Sequence, residues 1–139
     1  MNKRYLQTIH QIICTGHWIT DQVSQVLKPF EITEPQYNVL RVLQAAEGRP
    51  LTVQEILEQM VQRSSNITRI VDKLIDKGLA DRKECPSNRR KMDITITAAG
   101  KRLLKKLDKE VYKFHEPYSN NLTIKELNTL SKLIQKLRS

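Results

Sequence analysis

The strongest constraint in this chain is a hydrophobic period that changes twice between Leu51 and Gly100. "LTVQEILEQM" reads as a short helix ending near Met60. Thr52 and Glu55 stand three residues apart, the spacing at which a hydroxyl and a carboxylate each take a backbone N–H at a helix start. "SSNITRIVDKLIDKG" follows after a few residues. Its Ile67, Ile70, Val71, Leu74 and Ile75 fall at i, i+3, i+4, i+7 and i+8, so one face of a second helix packs inward. Gly78 stops it, in a left-handed cap. The period then drops from about 3.6 to 2. "LADRKE" and "KMDITIT" read as strands, with "CPSNRR" as a turn-forming tip between them. Thr97 caps the return to helix in "AAGKRLLKKLDKEVYKFH". Two helices joined by a very short turn, followed at once by a hairpin, are a helix-turn-helix carrying a wing.

The rest of the chain is helical. A first helix is expected from about Tyr5 to Lys28, with Leu6, Ile9, Ile13, Ile19, Val23, Val26 and Leu27 at roughly helical spacing and Pro29 ending it. A second starts at Thr33, with Gln36 as its capping-box partner and Pro35 tolerated in the first turn. Val39, Leu40, Val42 and Leu43 supply its buried face. In the helix after the hairpin the apolar seam is Leu103, Leu104, Leu107, Val111 and Phe114. A last capping box, Thr123 to Glu126, opens a final helix with the stripe Leu127, Leu130, Leu133, Ile134 and Leu137. The fold class is mainly α with a small β-hairpin wing.

Two serines, an asparagine and a threonine head the second helix of the motif, where stronger helix formers would serve stability better. Short polar side chains let a helix end approach a surface closely. A helix that enters a DNA major groove reads base edges with the residues of its first turns, and Ser, Asn and Thr can bond bases or phosphates. Ser65, Thr68, Arg69 and Asp72 lie opposite the apolar stripe, with Asn66 and Lys73 at its edges and Ser64 at the helix start. At the hairpin tip Arg89 and Arg90 can reach a narrow, strongly negative minor groove. Lys91, Arg82 and Lys83 can neutralise flanking phosphates. The formal net charge of +9 agrees: between Arg63 and Lys109, 14 Lys/Arg face 6 Asp/Glu, so most of the excess sits in that third of the chain. A basic excess placed in this way points to a polyanion partner, with nucleic acid first.

The order of elements, and "RIVDKLIDKGLADRKECPSNRRKMDITITAAG" in particular, resembles the MarR family of bacterial transcriptional regulators. The shared pieces are "DKLIDKGL", Arg82 shortly after it, "NRR" at the wing and "ITAAG" opening the next helix. The resemblance implies an intertwined helical dimer of winged helix-turn-helix units that binds a short palindromic operator as a repressor. It makes Arg89 the minor-groove arginine and places the start of the recognition helix at Ser64 to Arg69. It also implies an N-terminal dimerisation helix (residues 1–31), a DNA-binding unit (32–97) and C-terminal dimerisation helices (98–139). The family wing usually reads Asp-Arg-Arg. Asn88 replaces that aspartate here, and a neutral hydrogen bond is roughly half as strong as a charged one, so a looser wing tip is expected before DNA arrives.

Dimerisation also follows from the stripes themselves. One winged unit cannot cover the apolar faces of the first helix and the last two, and an uncovered stripe of that length calls for a partner surface. A small-molecule effector in the crevice between end helices and winged core could shift the spacing of the two units, with His17, Trp18 and Tyr37 as candidate crevice residues.

His10, Cys14, His17 and Asp21 line one stripe of the first helix. They are weak zinc candidates, because ligands in a row need help from elsewhere, such as His115, to close a tetrahedron. No metal or other cofactor is expected. Cys14 and Cys85 are candidate redox sites. Cys14 is expected to be a buried, inert thiol, and Cys85 at the wing tip the more exposed one. No phosphate loop, catalytic triad signature or paired-carboxylate cluster points to an enzyme. A non-specific DNA-packaging or architectural protein is the alternative that shares the charge; it would not need a polar-headed recognition helix. Aromatic residues are few for single-stranded RNA binding. No run of about 18 apolar residues and no signal-like leader stands in the sequence, so a cytoplasmic protein without a membrane span is expected.

Overall fold

The computed structural model describes residues 1–61 and 66–139. Among the described residues, six α-helices and one hairpin follow in the order α1 (Lys3–Leu27), α2 (Glu34–Ala45), α3 (Val53–Gln59), α4 (Ile67–Asp76), β1 (Ala80–Cys85), β2 (Asn88–Ile96), α5 (Ala98–His115) and α6 (Ile124–Leu137). The expected fold class and each expected helix are present. Thr33 with Gln36, Thr52 with Glu55 and Thr123 with Glu126 all form reciprocal capping boxes. Each satisfies two backbone donors that would otherwise face solvent, and each cap contributes about 1 kcal/mol.

One core joins the elements. Tyr37, Val39, Leu40 and Leu43 of α2 meet Ile56 of α3, Ile67, Val71 and Leu74 of α4, Ile94 and Ile96 of β2, and Leu104 and Leu107 of α5. The C-terminal half of α1 adds Val23 and Leu27, while Leu6, Ile13 and Ile19 stay exposed. No residue of α6 is buried, and Leu133 is 58% exposed on its apolar stripe.

Chain reversals are held by specific bonds. After α1 a 3-10 turn, Lys28–Phe30, carries Pro29 and ends at Glu31 in the left-handed region (φ 57). The Lys77 ammonium donates to the Glu31 carbonyl and, at 3.5 Å, to Gln36 Oε1, which ties the end of α4 to the start of α2. Gly78 takes φ 73, as a left-handed helix stop requires. Thr97 then locks the return to helix. Its hydroxyl donates to the Gly78 carbonyl at 2.7 Å and accepts from Gly100 N–H at 3.0 Å. Gly100 lies so close to β1 that a Cβ there would stand 2.2 Å from the Leu79 carbonyl oxygen. The "ITAAG" stretch is thus a packing device, with threonine and glycine each required by geometry.

The hairpin differs from its expected form in two ways. Strand β1 does not alternate: Asp81, Arg82, Lys83 and Glu84 are all exposed, and it is β2 that turns Ile94 and Ile96 into the core. The turn is only Pro86–Ser87, so Asn88, Arg89 and Arg90 belong to β2 rather than to the tip. Cys85 pairs with Asn88 while Glu84 pairs with Met92, so residues 89–91 are extra on β2 and form an irregularity at the distal end. Such bulges bend a strand and re-aim its residues. The root is firmer. Leu51 exchanges both backbone bonds with Ile94, at 3.0 and 2.8 Å, adding a one-residue third rung.

Candidate nucleic-acid interface

Helix α4 is amphipathic in the required sense. Ile67, Val71 and Leu74 bury one face, and Thr68, Arg69 and Lys73 stand exposed on the other. The described helix begins at Ile67, with Asn66 at the N-cap position, later than the expected start at Ser64. Ser64 and Ser65 lie outside the described residues. A cleft of about 420 Å³ between the start of α2 and this face is lined by Thr33, Pro35, Gln36, Asn66, Arg69, Ile70 and Lys73, so the two cations border a concavity of the same surface.

The wing stands beside α4 and is bonded to it. Arg82 Nη1 donates to Asp72 Oδ1 at 2.9 Å, with both side chains about half exposed (45% and 46%). Arg82 is expected from the sequence to neutralise a flanking phosphate, and Asp72 to lie on the face opposite the apolar stripe. In the structure each is the other's partner, and together they join α4 to β1. Lys83 and Lys91 are exposed on the ribbon. Arg89 and Arg90 are on β2, and their side chains lie outside the described part of the structure.

Cys85 closes the wing tip. Its thiol lies 3.3 Å from the Ser87 hydroxyl. That bond first, then the backbone N–H groups of Ser87 and Asn88, draw the thiol below its ordinary value, because they favour the thiolate. The expected order of thiol exposure is reversed: Cys14 is exposed on α1 and Cys85 is half-buried. The reason is that Cys14 sits on the stretch of α1 that projects beyond the core, with its Sγ 3.4 Å from His10 Nε2 one turn away. Among the described residues no three His, Cys, Asp or Glu side chains gather as a metal site. His115 instead packs on Phe114, ring centroids 4.8 Å apart.

The three candidate crevice residues are not brought together. Trp18 sits edge-on to Tyr118 at 5.0 Å and tilted against Phe114 at 5.7 Å, closing α1 on the end of α5. Tyr37 is buried and donates its hydroxyl to Asp108 of α5. His17 is exposed on α1. A solvent-open groove of about 860 Å³ runs along α5, bordered by Lys105, Asp108, Lys109, Tyr112 and His115 among others.

Comparison with known proteins agrees with this geometry. The profile described as MarR family matches residues 30–91, which run from the end of the first 3-10 turn into the wing. The chain is 27% identical over 116 residues to the multiple antibiotic resistance protein MarR of Escherichia coli, covering 83% of this chain and 79% of that protein. It is similar to the crystal structure of a MarR transcription factor from Planctomyces limnophilus, with a TM-score of 0.74, 29% identity and coverage of 97% and 98% of the two chains. Its fold also matches that of an Escherichia coli MarR mutant complexed with operator DNA, with a TM-score of 0.83, 24% identity and coverage of 96% and 95%. Among the described residues, no helix is long and apolar enough to cross a membrane.

Proposed function

We propose that this chain, which is similar to the MarR family of winged helix-turn-helix transcriptional regulators, is one of them and represses transcription by binding a palindromic operator as a cytoplasmic homodimer. The observation that carries the reading is the pairing of an exposed polar helix face with a basic ribbon bonded to it through Arg82 and Asp72. Asn66, Thr68, Arg69 and Lys73 meet base edges and phosphates in the major groove. Arg89 and Arg90 serve the adjacent minor groove, and Lys91 a flanking phosphate. Ser64 and Ser65 complete the helix start in this assignment.

The dimer is supported by what the single chain leaves uncovered. Helix α6 buries nothing, and the projecting half of α1 exposes Leu6 and Ile13. Apolar stripes on two long helices are covered when a second copy packs against them. Residues 1–31 and 98–139 then form the dimerisation unit around two DNA-binding units, 32–97. Two copies related by a twofold axis place their recognition helices one or more DNA turns apart, which makes the site a palindrome.

Selection from a random duplex pool tests the reading. Enrichment of two inverted half-sites at fixed separation, bound by a species that sediments as a dimer, is the expected result. Binding with no enrichment would transfer the protein to the packaging class, and a monomer at working concentration would remove the twofold geometry.

A further inference from the structure

The Tyr37 hydroxyl donates to Asp108 Oδ1 at 2.5 Å, across 71 residues of sequence. The bond joins two bodies with different tasks: Tyr37 is in α2, the first helix of the winged unit, and Asp108 is in the middle of α5, which leads away to the apolar end helices. Tyr37 is only 2% exposed, so a hydroxyl that lost this acceptor could not turn to bulk water. Burial first, and the bond to Asp108 second, hold the phenol well above its ordinary titration range, so it stays a donor. The Arg41 guanidinium lies over the Tyr37 ring, 5.6 Å from its centroid.

The rest of the core around this bond is aliphatic, with Leu40, Leu104 and Leu107 among its members. Apolar packing has no preferred direction and allows neighbouring arrangements of similar energy. A short hydrogen bond is directional and selects one of them. We infer that Tyr37 and Asp108 form a latch that fixes the angle at which α5 carries the winged unit, and so sets the separation of the two recognition helices in the dimer. Tyr37 acts as a positioning residue: it reaches DNA only through the placement of α4. Asp108 also lines the groove along α5, beside Lys105 and Lys109, so the latch can be reached from solvent at its acceptor end. The inference rests on the dimeric, operator-binding reading above.

The test uses the selected half-sites with their natural spacer, and with the spacer one base pair longer or shorter. Each base pair turns one half-site by about a tenth of a helical turn relative to the other. The wild-type dimer should lose about tenfold in affinity for either altered spacer, the scale of a typical coupling energy. Tyr37→Phe keeps the ring and removes the donor; it should compress that loss to about threefold or less. Asp108→Ala breaks the same bond from a position that is not fully buried and should do likewise. Asp108→Asn still accepts the bond and should keep the wild-type profile. Folded Tyr37→Phe and Asp108→Ala proteins that both retain the wild-type spacing profile overturn the inference, whatever their melting temperatures. A pool from which the wild type enriches no paired half-sites overturns the operator reading instead, and that result is obtained before any variant is made.

Discussion

Arg82 of β1 and Asp72 of α4 are bonded at 2.9 Å, and through them the hairpin and α4 are joined side by side. An ion pair this exposed contributes little to stability, at most about 1 kcal/mol. Its importance is geometric. The distal end of the hairpin is irregular, whereas its root is held by the Leu51–Ile94 rung. Arg82 pairs with Ile94 across the ribbon, so its bond to Asp72 ties that same rung laterally to α4. Asp72→Ala is therefore expected to lower the melting temperature by only a few degrees, while operator affinity falls about tenfold or more because the wing loses its fixed bearing. The exchange of the two charges, Asp72→Arg with Arg82→Asp, should recover part of that affinity. Fluorescence anisotropy with the selected operator, beside thermal melts, reads both quantities.

Arg69 and Lys91 are assigned different tasks on DNA, and substitution should separate them. Arg69→Ala is expected to cost about 1–3 kcal/mol on the specific site and to relax base preference at one position. Lys91→Ala should weaken all duplexes about equally and lower the slope of log affinity against log salt by about one. Titrations at several salt concentrations on specific and scrambled duplexes check this; the same response from both variants would contradict the assignment.

Gly100→Ala should destabilise the fold. The added Cβ would meet the Leu79 backbone oxygen at 2.2 Å and the Ile96 side chain at 2.7 Å, and the backbone contact has no flexible end to yield. Overpacking of this kind costs about 1–3 kcal/mol. Urea denaturation of the variant should show a lower midpoint with an unchanged slope.

Alkaline pH should unfold the protein partly through Tyr37. The folded state raises the tyrosine's affinity for its proton above the unfolded value of 10.0. The resulting stabilisation is complete below about pH 10 and is lost as the pH climbs from there toward the folded value, because the unfolded chain then holds fewer protons. Denaturation midpoints measured from pH 8 upward should fall more steeply for the wild type than for Tyr37→Phe, a comparison that cancels the common titration of lysines.

Much of this molecule was set by local sequence. The capping boxes at Thr33, Thr52 and Thr123, the stripe on α4 and the glycine stop at Gly78 all depend on groups within about four residues of one another. Short-range chemistry of that kind determines which segments are helix, where they start, and that the chain alternates back to helix after a hairpin. It also left α6 with an exposed apolar stripe, the feature on which the proposed dimer rests.

Tertiary structure alone decided the rest. Asp72 finds Arg82 across ten residues and a change of element, and Leu51 finds Ile94 across 43, while Tyr37 finds Asp108 across 71. None of these pairs shares a helix face or a strand period, so no periodicity links them. Exposure followed the same rule. Cys14 stays open because α1 outruns the core, and the arginines of the wing fall within β2 because the register slips at Glu84/Cys85. Side-chain pattern specifies an element through neighbours along the chain; which polar groups meet, and at what angle two bodies are joined, depends on how those elements pack in space.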